Sequence, residues 1–418
     1  MRNIKYTLIF CLFNFALRAQ DANLLDIKIG QMILIGFPKA EVDAQVLEEI
    51  RTGKVGSIIL FEKNVPKSTA SFTALKKMIW TYKKAAQFPL LVAIDQEGGR
   101  VNRLKDKYGF ARSITAQAMG RAGTLDSVKF YAESTAATLA GLGFNFNFAP
   151  VVDLAVNKEN PVIYKAGRSF GANPDSVVLM AEEFIKAHRR FGVLTSLKHF
   201  PGHGSSMADT HFGIADVSNT WTPKELSPYA ELMNRGEVDA ILTSHIVNFK
   251  LDPRGYPGTL SSRMIDSLLR KQMHYDGVVI TDDMHMEAIT KHYGLDSAIM
   301  LAINAGVDIL CFSSNIPGSE ERTAGKVHSI IRSFVDSGVI KPERIDESFN
   351  RILKLKYRAG QTSEEYLTHQ LEDARKELAA LKKPEGTKPE VKEVKSDERP
   401  EETQPEENTG KKKKKKKS

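Results

Sequence analysis

Residues 195–216, TSLKHFPGHGSSMADTHFGIAD, gather His199, His203, His211, Lys198, Asp209 and Asp216 behind an apolar run. Side chains of these types can ligate a metal, hold a hydroxylated or charged substrate, or move protons. Other apolar runs also end in polar groups: Asp95, Gln96 and Glu97; Asp153; His245; Asp282 and Asp283. A single charged strand end is ordinarily a helix cap or a loop ion pair. Most runs ending this way implies one mouth at which the polar groups meet. Each residue also has a plainer reading. Glu97-Gly98-Gly99-Arg100 can be a turn with a capping carboxylate, and Asp282 or Asp283 can N-cap a helix beginning near Met286. His203, between two glycines, reads as a hydrogen bonder that shapes a loop, and His274 and His285 as surface or packing residues.

The runs that carry these ends are MILIGF (32–37), VGSIILF (55–61), PLLVAIDQ (89–96), FNFNFAPVVD (144–153), GVLTSLKHF (192–200), DAILTSH (239–245), DGVVITDD (276–283) and VDILCF (307–312). They are mostly unbroken rather than alternating, as strands buried on both faces are. Helix-like segments fill most of the gaps, among them 127–143, 176–192 and 261–274. The alternation predicts an α/β chain folded as a single (β/α)8 TIM-like barrel, whose active site lies at the C-terminal strand ends. A doubly wound open sheet is the alternative, but no glycine-rich fingerprint follows the first strand. Segments 342–360 and 363–383 read as amphipathic helices packed outside the barrel or continuing toward the tail.

Composition divides the chain further. Residues 1–19 have a basic start, an apolar stretch and a small residue, Ala19, before Gln20, and so read as a cleavable signal peptide. The expected location is secreted or periplasmic. Residues 20–360 are expected to form the barrel, 361–383 a C-terminal helix, and 384–418 a disordered charged tail poor in apolar residues. Of the net charge of +8, the first 19 residues carry +3 and residues 382–418 carry +4, leaving +1 for the folded part. The basic balance therefore argues for no nucleic-acid partner. The lysine-rich end offers a contact for anionic surfaces such as lipid headgroups. No other run is long and apolar enough to span a membrane. Loss of the leader removes Cys11 and leaves Cys311, so no intramolecular disulfide is expected.

Two chemistries compete for the polar mouth. A metal-dependent barrel hydrolase would bring histidines and carboxylates together, often from a His-x-His pair on the first strand, and MILIGF supplies none. Carbohydrate chemistry would need one carboxylate to attack an anomeric carbon and another group to protonate the leaving oxygen.

Four motifs, AIDQEGGRVNRL (93–104), GRSFG (167–171), KHFPGHG (198–204) with DTH (209–211), and ITDDMHMEAI (280–289), resemble in order and spacing the family 3 glycoside hydrolases of the β-N-acetylhexosaminidase branch. The resemblance covers most of residues 28–340. It implies a retaining, exo-acting β-N-acetylhexosaminidase that takes N-acetylglucosamine from glycans or peptidoglycan fragments, with a carbohydrate as partner and neither metal nor organic cofactor. It implies Asp282 as nucleophile, Asp209 and His211 as an acid/base dyad on a mobile loop, and Asp95, Arg103, Arg168, Lys198 and His199 as sugar-binding residues. A neutral histidine in the dyad adds no negative charge beside Asp282, so nucleophile and base need not repel one another. The family's glucosidase branch draws its acid from a second domain, for which no room is expected after this barrel. Asn102 replaces a common glutamine, and DDMHM replaces the more usual DDLSM. A β-glucosidase or phosphorolytic relative on the same fold, the metal-dependent hydrolase and a non-catalytic glycan binder are the alternatives.

Overall fold

A computed structural model describes residues 23–361 apart from Thr69, 211–212 and 317–323, together with Thr368, Glu372 and Arg375. The signal peptide expected at 1–19, the tail expected at 384–418 and all but a few residues of 361–383 lie outside the described residues, as does His211. The barrel falls within a first compact unit ending at His369, and a second unit runs from Gln370.

Eight parallel strands follow the apolar runs: β1 (Ile33–Ile35), β2 (Ser57–Leu60), β3 (Leu91–Ile94), β4 (Phe146–Asn147), β5 (Leu194–Phe200), β6 (Ala240–Thr243), β7 (Val278–Asp283) and β8 (Ile309–Phe312). Each pairs with its sequence neighbour, and β1 also pairs with β8, Ile33 opposite Leu310, so the sheet closes. Closure excludes the open doubly wound sheet. Nearly every strand residue is buried, because one face meets the barrel interior and the other the surrounding helices.

A helix returns the chain after each strand: α1 (Ala44–Arg51), α2 (Ser71–Ala85), α3 (Leu125–Leu142), α4 (Pro174–Arg189), α5 (Ser227–Asn234), α6 (Arg263–Gln272), α7 (Leu295–Ala305) and α8 (Ala324–Asp336). Local sequence sets their ends. Asp43 caps α1 by accepting from the Gln45 and Val46 amides, and α4 opens on Asn173-Pro174, with proline where an amide would be orphaned anyway. Gly143, at φ 99°, ends α3 in the left-handed conformation. The predicted helix at 261–274 is π-helical over α6.

A ninth helix, α9 (Pro342–Arg358), packs outside the barrel as expected and also places cations against the N-terminal ends of its strands. Arg344 and Arg351 reach Asp308, just before β8, at 3.1 and 3.4 Å, and Arg358 reaches Asp239, just before β6, at 2.5 Å. Lys356 Nζ donates to Gln31 Oε1 at 2.6 Å and to the Gly56 carbonyl at 2.5 Å. The underside of the barrel is thus held by buried polar contacts, at the end opposite the catalytic face expected of this fold.

Candidate active site

At the C-terminal strand ends lies a cavity of about 330 Å³, within the range usual for small-molecule sites. Ile59, Phe148, Leu242 and Cys311 give it apolar surface. Asp95, Glu97, Arg103, Arg168, Lys198, His199, Asp282 and Asp283 give it charge. The structure therefore brings all five expected sugar-binding residues and Asp282 to one cavity.

The charged groups form a continuous array. Lys198, 2% exposed, lies 2.8 Å from Asp95 Oδ1 and 2.6 Å from Glu97 Oε1. Arg168 meets Glu97 in a bidentate pair, Nη2 to Oε1 at 2.7 Å and Nε to Oε2 at 2.8 Å. Arg103 Nη2 reaches Asp95 Oδ2 at 3.3 Å, and its guanidinium stacks 5.1 Å from the centre of the Phe61 ring. Burial by itself would raise both carboxyl pKa values, but Lys198 and Arg103 at Asp95, and Arg168 and Lys198 at Glu97, hold them below the usual range. These groups are fixed before any ligand enters, which suits recognition of hydroxyls by direction.

Glu97 sits on the turn expected of it, but its carboxylate joins the charged array and is not a cap. Its amide and that of Gly98 donate to the Val101 carbonyl at 3.0 and 3.1 Å, making a turn. Gly98 sits at φ 98°, and a Cβ there would lie 2.3 Å from the Ile114 carbonyl oxygen, so the turn requires glycine. The turn brings the chain back so that the Arg103 amide bonds Gln96 Oε1 at 3.0 Å.

Asp153 organises the next sector. It is fully buried and accepts from His199 Nδ1 at 2.7 Å and from the His203 amide at 2.7 Å. Arg168 Nη2 lies 3.1 Å from His199 Nε2. Arginine only donates, so Nε2 accepts and Nδ1 carries the hydrogen given to Asp153. His199 thus spends both nitrogens on protein partners. Burial raises and the two histidines lower the Asp153 pKa, and the net shift is downward. His203 differs from its expectation. Its backbone amide shapes the loop, whereas both ring nitrogens are buried without a partner among the described residues, and burial lowers the ring to about 4.

The adjacent aspartates diverge. Asp283 Oδ1 accepts the His285 amide at 2.9 Å, and its other oxygen takes the Ser313 hydroxyl and amide. Burial, with Asp282 contributing, raises its pKa. Asp283 thus forms a turn, and neither aspartate is the N-cap expected, since the short helix Glu287–Thr290 has no side-chain cap. Asp282 lines the cavity beside it and is partly exposed. His245 lies behind, joining Thr259 Oγ1 at 2.8 Å and the Asp283 carbonyl at 2.9 Å, as scaffold. His285 packs edge-on to Phe312 at 5.3 Å. Cys311 is buried, and burial pushes its thiol pKa well up.

Asp209 belongs to the loop after β5, whose Thr210 lines the cavity. Glu97 and Asp153 were visible in sequence as polar strand ends but drew no binding role. Glu225, buried beneath that loop, carried no signal, since it lies on a turn at Pro223–Leu226, away from every strand end.

Comparison with known proteins agrees with this geometry. The family model "Glycosyl hydrolase family 3 N terminal domain" matches residues 24–355. A beta-hexosaminidase A of Pseudoalteromonas piscicida is 32% identical over 339 residues, which cover 76% of this chain and 56% of that protein. A beta-hexosaminidase of Tolumonas auensis is 32% identical, covering 69% of this chain and 84% of its own. Among solved structures, a glycoside hydrolase family 3 beta-N-acetylglucosaminidase from Paenibacillus superposes with TM-score 0.74 at 34% identity, over 80% of this chain and 62% of that one. A beta-N-acetylhexosaminidase from Beutenbergia cavernae gives 0.71 at 28%, over 79% and 98%. The chain thus spans little more than half the length of some relatives and nearly all of others.

Proposed function

The chain belongs to glycoside hydrolase family 3, and from that premise we propose that it is a retaining, exo-acting β-N-acetylhexosaminidase releasing terminal N-acetylglucosamine from glycans or peptidoglycan fragments. The observation that carries the reading is Asp282 bordering the same cavity as the Asp95–Lys198–Glu97–Arg168 array, beneath the loop of Asp209. The names of its relatives support the substrate class. In this mechanism Asp282 attacks the anomeric carbon and forms a glycosyl-enzyme. His211, oriented by Asp209, gives a proton to the departing oxygen and then takes one from the attacking water. The charged array binds sugar hydroxyls, with Arg103 and Asp95 beside Phe61 on one wall. Export through residues 1–19, to the periplasm or the medium, is part of the proposal and rests on the composition of that segment.

The test is a panel of aryl glycosides, N-acetylglucosaminide against glucoside, each with and without phosphate and with and without chelator. Turnover of the N-acetylglucosaminide alone, indifferent to phosphate and chelator, is expected. Preference for glucoside, acceleration by phosphate or loss on chelation would replace the proposal with one of its alternatives.

A further inference from the structure

The loop that carries Asp209 and His211 is rooted on two buried carboxylates. Three successive backbone amides meet them: His203 N donates to Asp153 Oδ1 at 2.7 Å, and Gly204 N and Ser205 N donate to Glu225 Oε2 at 2.9 and 3.3 Å. The opposite side of the root is held as well, since Asn160 Nδ2 donates to the carbonyls of His203 at 2.8 Å and Gly204 at 3.0 Å.

The glycines of PGHG are what let Glu225 approach. Gly202 sits at φ 121°, and a Cβ there would lie 2.7 Å from Glu225 Cβ. At Gly204 a Cβ would fall 1.9 Å from the Leu154 carbonyl oxygen. The motif thus presses the loop root between the Leu154 backbone on one side and Glu225 on the other.

Glu225 is 2% exposed and is not among the residues lining the cavity, so a direct part in binding substrate does not account for it. It has no ion-pair partner among the described residues, so pairing does not account for it either. Burial pushes its carboxyl up to about 7, a cost that a neutral side chain in the same place would avoid. What remains is its acceptor work on the two loop amides.

We infer that Glu225 is a positioning residue for the proton-transfer step, fixing the root from which the Asp209–His211 segment reaches the glycosidic oxygen. This rests on the acid–base role proposed above for that segment. Misplacing a proton donor costs most when the leaving group is poor, because a good leaving group departs with little protonation.

The experiment compares wild type, Glu225→Ala and Glu225→Gln on an alkyl and a nitrophenyl N-acetylglucosaminide, with hydrogen exchange followed at the Gly204 and Ser205 amides. Alanine should lower kcat for the alkyl glycoside by roughly 10–100-fold, a fraction of what loss of the acid itself would cost. KM should stay within about twofold, and release of nitrophenol in the first turnover should fall much less, since binding and an easy departure do not use the donor. Glutamine keeps an oxygen acceptor for both amides, so it should restore alkyl turnover and slow exchange. Should the alanine variant not fold, Glu225→Asp, which withdraws the acceptor by one methylene, is read in its place with the same expectation. Equal losses for both leaving groups, or unchanged alkyl turnover with fast-exchanging amides, would overturn the inference while leaving the proposed function standing. A wild type inert on both glycosides would overturn both.

Discussion

Asp282 and Asp283 are adjacent, chemically identical and both at the cavity, yet the Asp283 carboxylate is spent in a turn with Ser313 and His285. Both oxygens of Asp283 are taken by protein donors, which agrees with the proposal of Asp282 as the nucleophile. Asp282→Asn is expected to lower turnover of every substrate by roughly 10³-fold or more, while titration calorimetry still detects N-acetylglucosamine binding. Near-native turnover would move the assignment to Asp283. His211→Ala should cut hydrolysis of an alkyl glycoside by roughly 10²–10⁴. On a nitrophenyl glycoside the first turnover should be far less affected. Hydrolysis of the glycosyl-enzyme at Asp282 would then lack a base to activate water, so a burst followed by slow release is the readout. Equal losses with no burst would remove His211 from proton transfer.

At the scale of elements, the strands were legible because a parallel barrel strand is buried on both faces and so reads as an unbroken apolar run. Their polar ends were legible because the fold turns C-terminal strand ends into one mouth. What could not be read were contacts between distant segments: the Arg168–Glu97 pair spans 71 residues, and Arg344 meets Asp308 only because α9 passes beneath β8. Glu225 was invisible for the same reason, since its acceptor role needs the fold to bring Gly204 to it. The PGHG element, by contrast, yields a direct prediction. Gly204→Ala would push a methyl into the Leu154 carbonyl oxygen, 1.9 Å from its ideal position, so the loop root must shift. Turnover of the alkyl glycoside should drop at least tenfold, as expected when a catalytic group is misplaced by about 1 Å. The far-ultraviolet circular dichroism should remain that of the folded barrel. Unaltered kinetics would mean that the loop is not held as described.

At the scale of the whole barrel, the charged cavity and the buried lysine of α9 lie at opposite strand ends. Burial on the underside pushes Lys356 down to about 7 from an ordinary 10.5. Between those values the folded chain holds a neutral amine and the unfolded chain an ammonium, so unfolding takes up a proton and stability rises with pH across that window. Gln31 and the Gly56 carbonyl favour the ammonium, which limits the rise to about 1–3 kcal/mol. Denaturant unfolding at about pH 7 and pH 9 should show this slope in wild type and lose it in Lys356→Met; parallel curves would refute it. Deleting residues 384–418, which hold few apolar side chains, should change stability by no more than about 0.5 kcal/mol, read from the same unfolding curves. Cys311 has a bench consequence. It is the one cysteine among the described residues, and at the cavity wall its thiol is 4% exposed and held protonated by burial, a poor target for maleimides, which need an accessible thiolate. In protein produced from residue 20 onward, one cysteine placed at exposed Met207 would be the single reactive handle. A dye attached there would follow the loop in solution by fluorescence while leaving the charged array untouched.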